Sequence, residues 1–68
     1  MEFKLEGEFI TLQSLLKAAG LCDSGGAAKQ AILAGEVKVD GEVELRRGKK
    51  IRNGQSVVFA GQEIKVIA

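Results

Sequence analysis

The sequence predicts an α+β fold in which two short helices pack on a small antiparallel sheet. Apolar residues recur at helical spacing in two stretches between residues 12 and 34, and from residue 36 onward they alternate with polar ones. Helical and strand-like segments are therefore segregated along the chain, as in α+β domains. With 68 residues, 46% of them hydrophobic, the chain is expected to form a single domain over residues 1–68 around a small core.

Cap residues mark both predicted helices. Thr11 is a candidate N-cap, and the apolar residues after it predict a helix over residues 12–19. Gly20 stands where a helix commonly ends. Ser24 is the second N-cap candidate, and the apolar face that follows it ends at Gly35.

From residue 36 the hydrophobic period changes to two, which predicts strands. Val37 and Val39 are expected to face one side of the sheet. Asp40-Gly41 predicts a two-residue hairpin turn, because both central positions of a type I′ turn require φ > 0. The carboxylates expected on the solvent face of this hairpin are those of Glu36, Asp40, Glu42 and Glu44. The remaining strand and turn signals are residues 2–5, a return strand that begins with Val43 and Leu45, the Asn53-Gly54 turn, residues 57–59, the Ala60-Gly61 turn and residues 64–67.

Charged residues are distributed unevenly along the chain. Residues 1–45 carry four basic and eight acidic side chains, a net charge of −4, whereas residues 46–68 carry six basic and one acidic, a net charge of +5. Half of the ten basic residues lie in RRGKKIR, residues 46–52, hereafter the basic segment: Arg46, Arg47, Lys49, Lys50 and Arg52. Charge runs are often only solvated faces. Here no acidic residue interrupts the run, and like charges this close repel unless an anion offsets them. Because the arginine fork suits phosphate, the basic segment predicts a phosphate-bearing partner.

A second anion-binding signal is DSGGAAK, residues 23–29. Ser24, Gly25 and Gly26 precede a helix, where free backbone N–H groups and the helix dipole favour an anion, and Lys29 lies about one turn further on. A purely structural cap with a flexible entry stays open as the alternative. The stretch lacks the GK[ST] ending of a P-loop and the spacing of a dinucleotide fingerprint.

Absent residues argue against catalysis. The chain has no histidine, so its one cysteine, Cys22, has no such base beside it and is expected to be a small buried hydrophobe. No clustered ligands predict a metal site, and no cofactor is expected. No apolar run approaches the ~20 residues that span a bilayer, and the N-terminus does not resemble a signal peptide, which predicts a cytoplasmic protein.

The three aromatic residues do not predict a stacking platform. Phe3 and Phe59 fit the core, and only Phe9 is a candidate for exposure. Single-strand binders usually stack bases on exposed rings. Contact with the phosphates of a structured RNA is therefore the better prediction.

The order of motifs over residues 12–41, LQSLLKAAGLCDSGGAAKQAILAGEVKVDG, resembles the S-four RNA-binding domain, also called the αL motif. That domain has a leucine-rich first helix, a Gly-Leu turn, a serine that opens the second helix, an Ala-Lys pair and a Gly-x-Val-x-Val-Asn/Asp-Gly hairpin. The matching residues are Leu12, Leu15, Leu16, Gly20, Leu21, Ser24, Ala28, Lys29, Gly35, Val37, Val39, Asp40 and Gly41. The tail from residue 46 is similar to that of small stand-alone bacterial members of the YbcJ type, so the resemblance covers about residues 3–68.

The resemblance implies that the two helices and the following hairpin loop form an RNA-facing surface, with Lys29 and the basic segment on it. Two positions depart from the family pattern. Gly25 stands where many members have a basic residue, and Thr11 stands near a usual arginine. Contact from the second helix is then expected from backbone N–H groups or from Lys29.

The sequence therefore predicts a non-catalytic, monomeric RNA-binding protein whose partner is structured RNA, with ribosomal RNA as one candidate, and which binds no membrane. The expected RNA-binding residues are Ser24, Lys29, Arg46, Arg47, Lys49, Lys50 and Arg52. The alternative is a protein-interaction module that uses the acidic hairpin or a sheet edge.

Overall fold

The computed structural model describes all 68 residues and contains two helices and seven short strands. In chain order these are β1 (Glu2–Lys4), β2 (Ile10–Thr11), α1 (Leu12–Ala18), α2 (Gly25–Leu33), β3 (Val37–Val39), β4 (Glu42–Val43), β5 (Lys50–Ile51), β6 (Ser56–Phe59) and β7 (Gln62–Ile67). The predicted α+β class is confirmed. Neither helix has the length and apolar character that crossing a bilayer requires, since α2, the longer one, has nine residues.

Five strands form one sheet in the order β1-β7-β6-β3-β4, while β2 pairs with β5 in a separate two-stranded ladder. Every pair is antiparallel except β1 with β7, which run parallel. The sheet is therefore mixed, whereas the sequence predicted an antiparallel one. Parallel neighbours need a long connection, and almost the whole chain lies between β1 and β7.

Both helices begin and end where their cap residues predicted. The Thr11 hydroxyl accepts a hydrogen bond from the N–H of Ser14 at the start of α1, and the Ser24 hydroxyl accepts one from Ala27 at the start of α2. Asp40 and Gly41 have φ of 52° and 87°, as the predicted two-residue turn requires.

The core consists of fourteen buried hydrophobic residues drawn from both helices, the sheet and the β2–β5 ladder. They are Leu5, Leu12, Leu15, Leu16, Cys22, Ala28, Ala31, Ile32, Val37, Val39, Ile51, Val57, Ile64 and Val66. Cys22 is buried as expected, and desolvation, reinforced by the nearby Asp23 charge, raises the pKa of its thiol. Phe3 and Phe59 pack against this core, also as expected.

The return strand of the hairpin departs at one position from the expected solvent face of carboxylates, of which Glu36, Asp40 and Glu42 are exposed. The two-residue turn pairs Val39 with Glu42 and Lys38 with Val43, so Val43 lies on the exposed face beside Lys38. Val43 is 51% exposed, and Leu45, which follows β4, is 55% exposed. Glu44, expected in solvent, instead has a side chain only 15% exposed.

Candidate nucleic-acid interface

The second half of the basic segment is a strand whose facing is fixed by the core. In the β2–β5 ladder Ile10 pairs with Ile51 and Thr11 pairs with Lys50. Ile51 is fully buried, so strand alternation turns its neighbours Lys50 and Arg52 outward on one face. This ladder was not predicted from the sequence. The available signal was Ile51, the one apolar residue inside the basic segment.

The first half of the basic segment is held by the start of α1. The first N–H groups of a helix have no partner within the helix. Here the N–H of Leu12 donates to the carbonyl of Lys49 at 2.8 Å, and that of Gln13 donates to the carbonyl of Arg47 at 3.1 Å. The basic side chains therefore project from a backbone that is bonded to α1.

A hydrogen-bond chain from the β3–β4 hairpin braces the end of the basic segment. The Arg52 N–H donates to Gln55 Oε1 at 2.8 Å, and Gln55 Nε2 donates to Asp40 Oδ2 at 3.1 Å. The N–H of Ser56 donates to Asp40 Oδ1 at 2.9 Å. The bonds from Ser56 and Gln55 hold the pKa of Asp40 below its usual value.

One cation of the basic segment is already paired, contrary to the expectation of an uncompensated run. Arg46 Nε donates to Glu44 Oε2 at 3.1 Å, and Arg46 Nη2 donates to Glu44 Oε1 at 3.3 Å. This is the chain's one ion pair, and its hydrogen bonds lower the pKa of Glu44. The Arg46 side chain nevertheless remains 74% exposed. The positive charge of the segment is therefore partly offset at one end.

Four of the five basic side chains are brought together. They line an open concavity whose residues are Arg46, Gly48, Lys49, Lys50 and Arg52. Gly48 carries no side chain, so it leaves the concavity open at that position. Arg47 is exposed but does not line this concavity.

A bridging glutamine ties the start of α2 to the basic segment. The backbone N–H of Gln13 donates to Arg47, and its side-chain Nε2 donates to the carbonyl of Gly25 at 2.9 Å. The start of α2 therefore lies within one glutamine side chain of the basic segment. The N–H groups of Gly25 and Gly26 have no protein acceptor, and Lys29 is half-buried one turn later.

A model of the S4 domain family matches residues 3–67. The chain belongs to the S4 domain family. It is 51% identical over 59 residues to the putative RNA-binding protein YbcJ of Escherichia coli, covering 87% of this chain and 84% of YbcJ. The solution structure of E. coli YbcJ, described as having an αL motif involved in RNA binding, matches with a TM-score of 0.76 at 47% identity and covers 98% of this chain and 86% of that one.

Two further relatives differ in how much of their own length this chain covers. The probable ribosome maturation protein RlbA of Bacillus subtilis is 40% identical over 57 residues, covering 84% of this chain and 80% of RlbA. A tyrosine–tRNA ligase of Ralstonia nicotianae is 39% identical over 61 residues, covering 90% of this chain but only 16% of the ligase.

A side chain at Gly25 would disturb the Gln13 bridge. A Cβ on Gly25 would lie 2.9 Å from Gln13 Nε2, too close for the bridge to stay as it is. A larger residue there would displace the end of the Gln13 side chain. The Gln13 bridge in its present geometry therefore depends on glycine at position 25.

Proposed function

We propose that this S4 domain is a non-catalytic, monomeric RNA-binding protein that contacts the backbone of structured RNA through the basic segment. The observation that carries the proposal is geometric. Both halves of the segment are fixed by hydrogen bonds to other elements, and four of its cations share one open concavity. Because the backbone of the segment is already fixed, only its side chains must be ordered when it meets phosphates.

The proposed contacts extend from the basic segment to the start of α2. In the basic segment they are made by Arg46, Arg47, Lys49, Lys50 and Arg52. Ser24 and Lys29 add contacts at α2, where the free N–H groups of Gly25 and Gly26 favour a phosphate. The Gln13 bridge supports treating the two regions as one surface.

Structured RNA is favoured over a flexible single strand. Phosphate contacts position a protein but carry no direct sequence information, so binding is expected to depend on RNA shape. Ribosomal RNA is the first target to test, because the similar RlbA is named a probable ribosome maturation protein.

Salt dependence tests the electrostatic part of the proposal. If six phosphates are contacted, the logarithm of the affinity for a ribosomal RNA hairpin should fall with the logarithm of salt concentration with a slope of about −4 to −5. Fluorescence anisotropy between low and physiological salt measures this slope. An affinity that ignores salt would overturn the proposal.

A matched pair of variants tests the location. Replacing Arg46, Arg47, Lys49 and Lys50 with glutamine is expected to abolish binding while leaving the thermal melt intact. The control removes three positive charges elsewhere, with glutamine at the exposed residues Lys17, Lys38 and Lys65, and should retain binding. Binding that survives in the first variant and is lost in the control would locate the RNA-binding site at the control lysines instead.

A protein-interaction module remains the second candidate, and the exposed apolar side chains of Val43 and Leu45 near the edge strand β4 favour it. A pull-down with and without nuclease separates the two. Partners that survive RNA digestion support the protein interface, and partners that disappear support RNA binding.

A further inference from the structure

We propose that Phe9 stacks an unpaired RNA base beside the phosphate-binding basic segment, so that the preferred RNA is a helix interrupted by an unpaired nucleotide. This inference rests on the proposed function and deepens it. Phe9 is 39% exposed, whereas Phe3 and Phe59, the other two aromatic residues, pack against the core.

The β2–β5 ladder places Phe9 among the cations. The register pairs Ile10 with Ile51, so its continuation sets Phe9 opposite Arg52. Directly opposed residues in an antiparallel pair share one face. The distances agree: Lys50 Nζ lies 4.9 Å and Arg52 Cζ 5.6 Å from the centre of the Phe9 ring.

These cations make the ring a suitable place for a base. A cation–π contact at an exposed site is worth less than a base–aromatic stack, so a base can compete for the ring. Lys50 and Arg52 remain available for the phosphates on either side of that base. One ring flanked by two phosphate ligands therefore suits a single extruded nucleotide, where a longer single strand would need several rings.

The Phe9 ring also borders an open groove that is large enough for an RNA base. Phe3, Leu5, Phe9 and Ile10 form its apolar lining, and Lys4 and Glu6 are its polar residues. Its volume of about 460 Å³ falls within the range of small-molecule sites, about 300–1,000 Å³. The Lys4 ammonium offers a donor and the Glu6 carboxylate an acceptor to base edges.

The test compares three synthetic RNA hairpins of the same stem: one with a single unpaired adenosine, one with an abasic residue at that position, and one fully paired. The wild-type protein is expected to bind the adenosine hairpin at least about fivefold more tightly than the abasic one, the lower end for one base–aromatic stack. Phe9→Leu should bind both equally while keeping the wild-type salt slope. Equal binding of the two hairpins by the wild type, or a preference retained in Phe9→Leu, would overturn the inference.

A fluorescence readout keeps the test independent of folding losses in Phe9→Leu. The chain has no tryptophan or tyrosine, so Phe9→Trp creates a unique reporter. Its emission should be quenched by the adenosine hairpin and much less by the abasic one. Leu33→Trp, at an exposed position at the end of α2, is the control and should not distinguish them. Salt-sensitive binding without the adenosine preference rejects only the stacking site, whereas no salt-sensitive binding to any hairpin rejects the proposed function as well.

Discussion

The two halves of the basic segment carry similar charge but are held in different ways. Residues 46–49 form a turn whose carbonyls accept from the start of α1, and its first cation, Arg46, is paired with Glu44. Residues 50–52 run along β5, which the buried Ile51 anchors, and their cations lie beside the exposed ring of Phe9. A run of like charges in a sequence is therefore not a set of equivalent ligands. How freely each cation can bind an anion depends on the contacts that its side chain already makes.

The anchor of the second half should produce the largest effect. Ile51→Ala removes a fully buried side chain and is expected to lower the free energy of unfolding by about 2–5 kcal/mol. Urea denaturation followed by circular dichroism measures the change. Leu45→Ala, at an exposed position, is the control and should stay within about 0.5 kcal/mol. Equal losses in the two variants would show that the second half is not anchored through Ile51.

The next largest effect is expected on RNA affinity, which should fall more when charge is removed from the second half of the basic segment than from its paired first end. The double variant Lys50→Gln/Arg52→Gln is expected to weaken RNA binding at least about tenfold and to make the salt slope shallower by about two, since each lost phosphate contact removes about one. Removing the paired charges together, with Glu44→Gln/Arg46→Gln, leaves the net charge unchanged. This variant should alter the affinity by less than about threefold, because the Glu44 carboxylate already offsets the Arg46 charge. Anisotropy titrations measure both. The reverse ranking would mean that Arg46 leaves Glu44 and is the stronger ligand.

Releasing Arg46 should have a smaller effect of the opposite sign. Glu44→Gln removes the carboxylate that holds Arg46, so RNA affinity is expected to rise by about two- to fivefold, within the range of an exposed ion pair. The control is Glu42→Gln, which removes the same charge nearby from a residue that forms no ion pair. If both variants gain equally, the gain reflects general charge rather than the Arg46 pair.

Local chemistry explains which features the sequence predicted. Thr11 and Ser24 cap their own helices, and Asp40-Gly41 sets its own turn, so neighbouring residues suffice to predict them. The β2–β5 ladder joins residues 39 and 41 positions apart, and no local pattern encodes its register. The facing of Val43 follows from its pairing with Lys38 across that turn, which alternation within one strand does not reveal.

For the site, the sequence predicted the cations but not their surroundings. The Arg46–Glu44 pair, the Gln13 bridge and the position of Phe9 depend on how backbone segments meet. Which side chains touch RNA stays a prediction. The structure supplies the reason to expect that they act unequally.

The smallest predicted effect concerns pH and the brace behind residues 50–52. Hydrogen bonds from Ser56 and Gln55 lower the pKa of Asp40 in the folded protein, so this carboxylate contributes stability above the unfolded value of about 3.9 and loses it as pH falls through the folded value. Asp40→Asn tolerates the φ of 52° but cannot titrate. Thermal melts from pH 6 to pH 2 should therefore show a shallower acid loss in the variant, by less than about 1 kcal/mol because the group is exposed. Identical pH dependence in the two proteins would mean that the hydrogen bonds to Asp40 do not stabilise its charge.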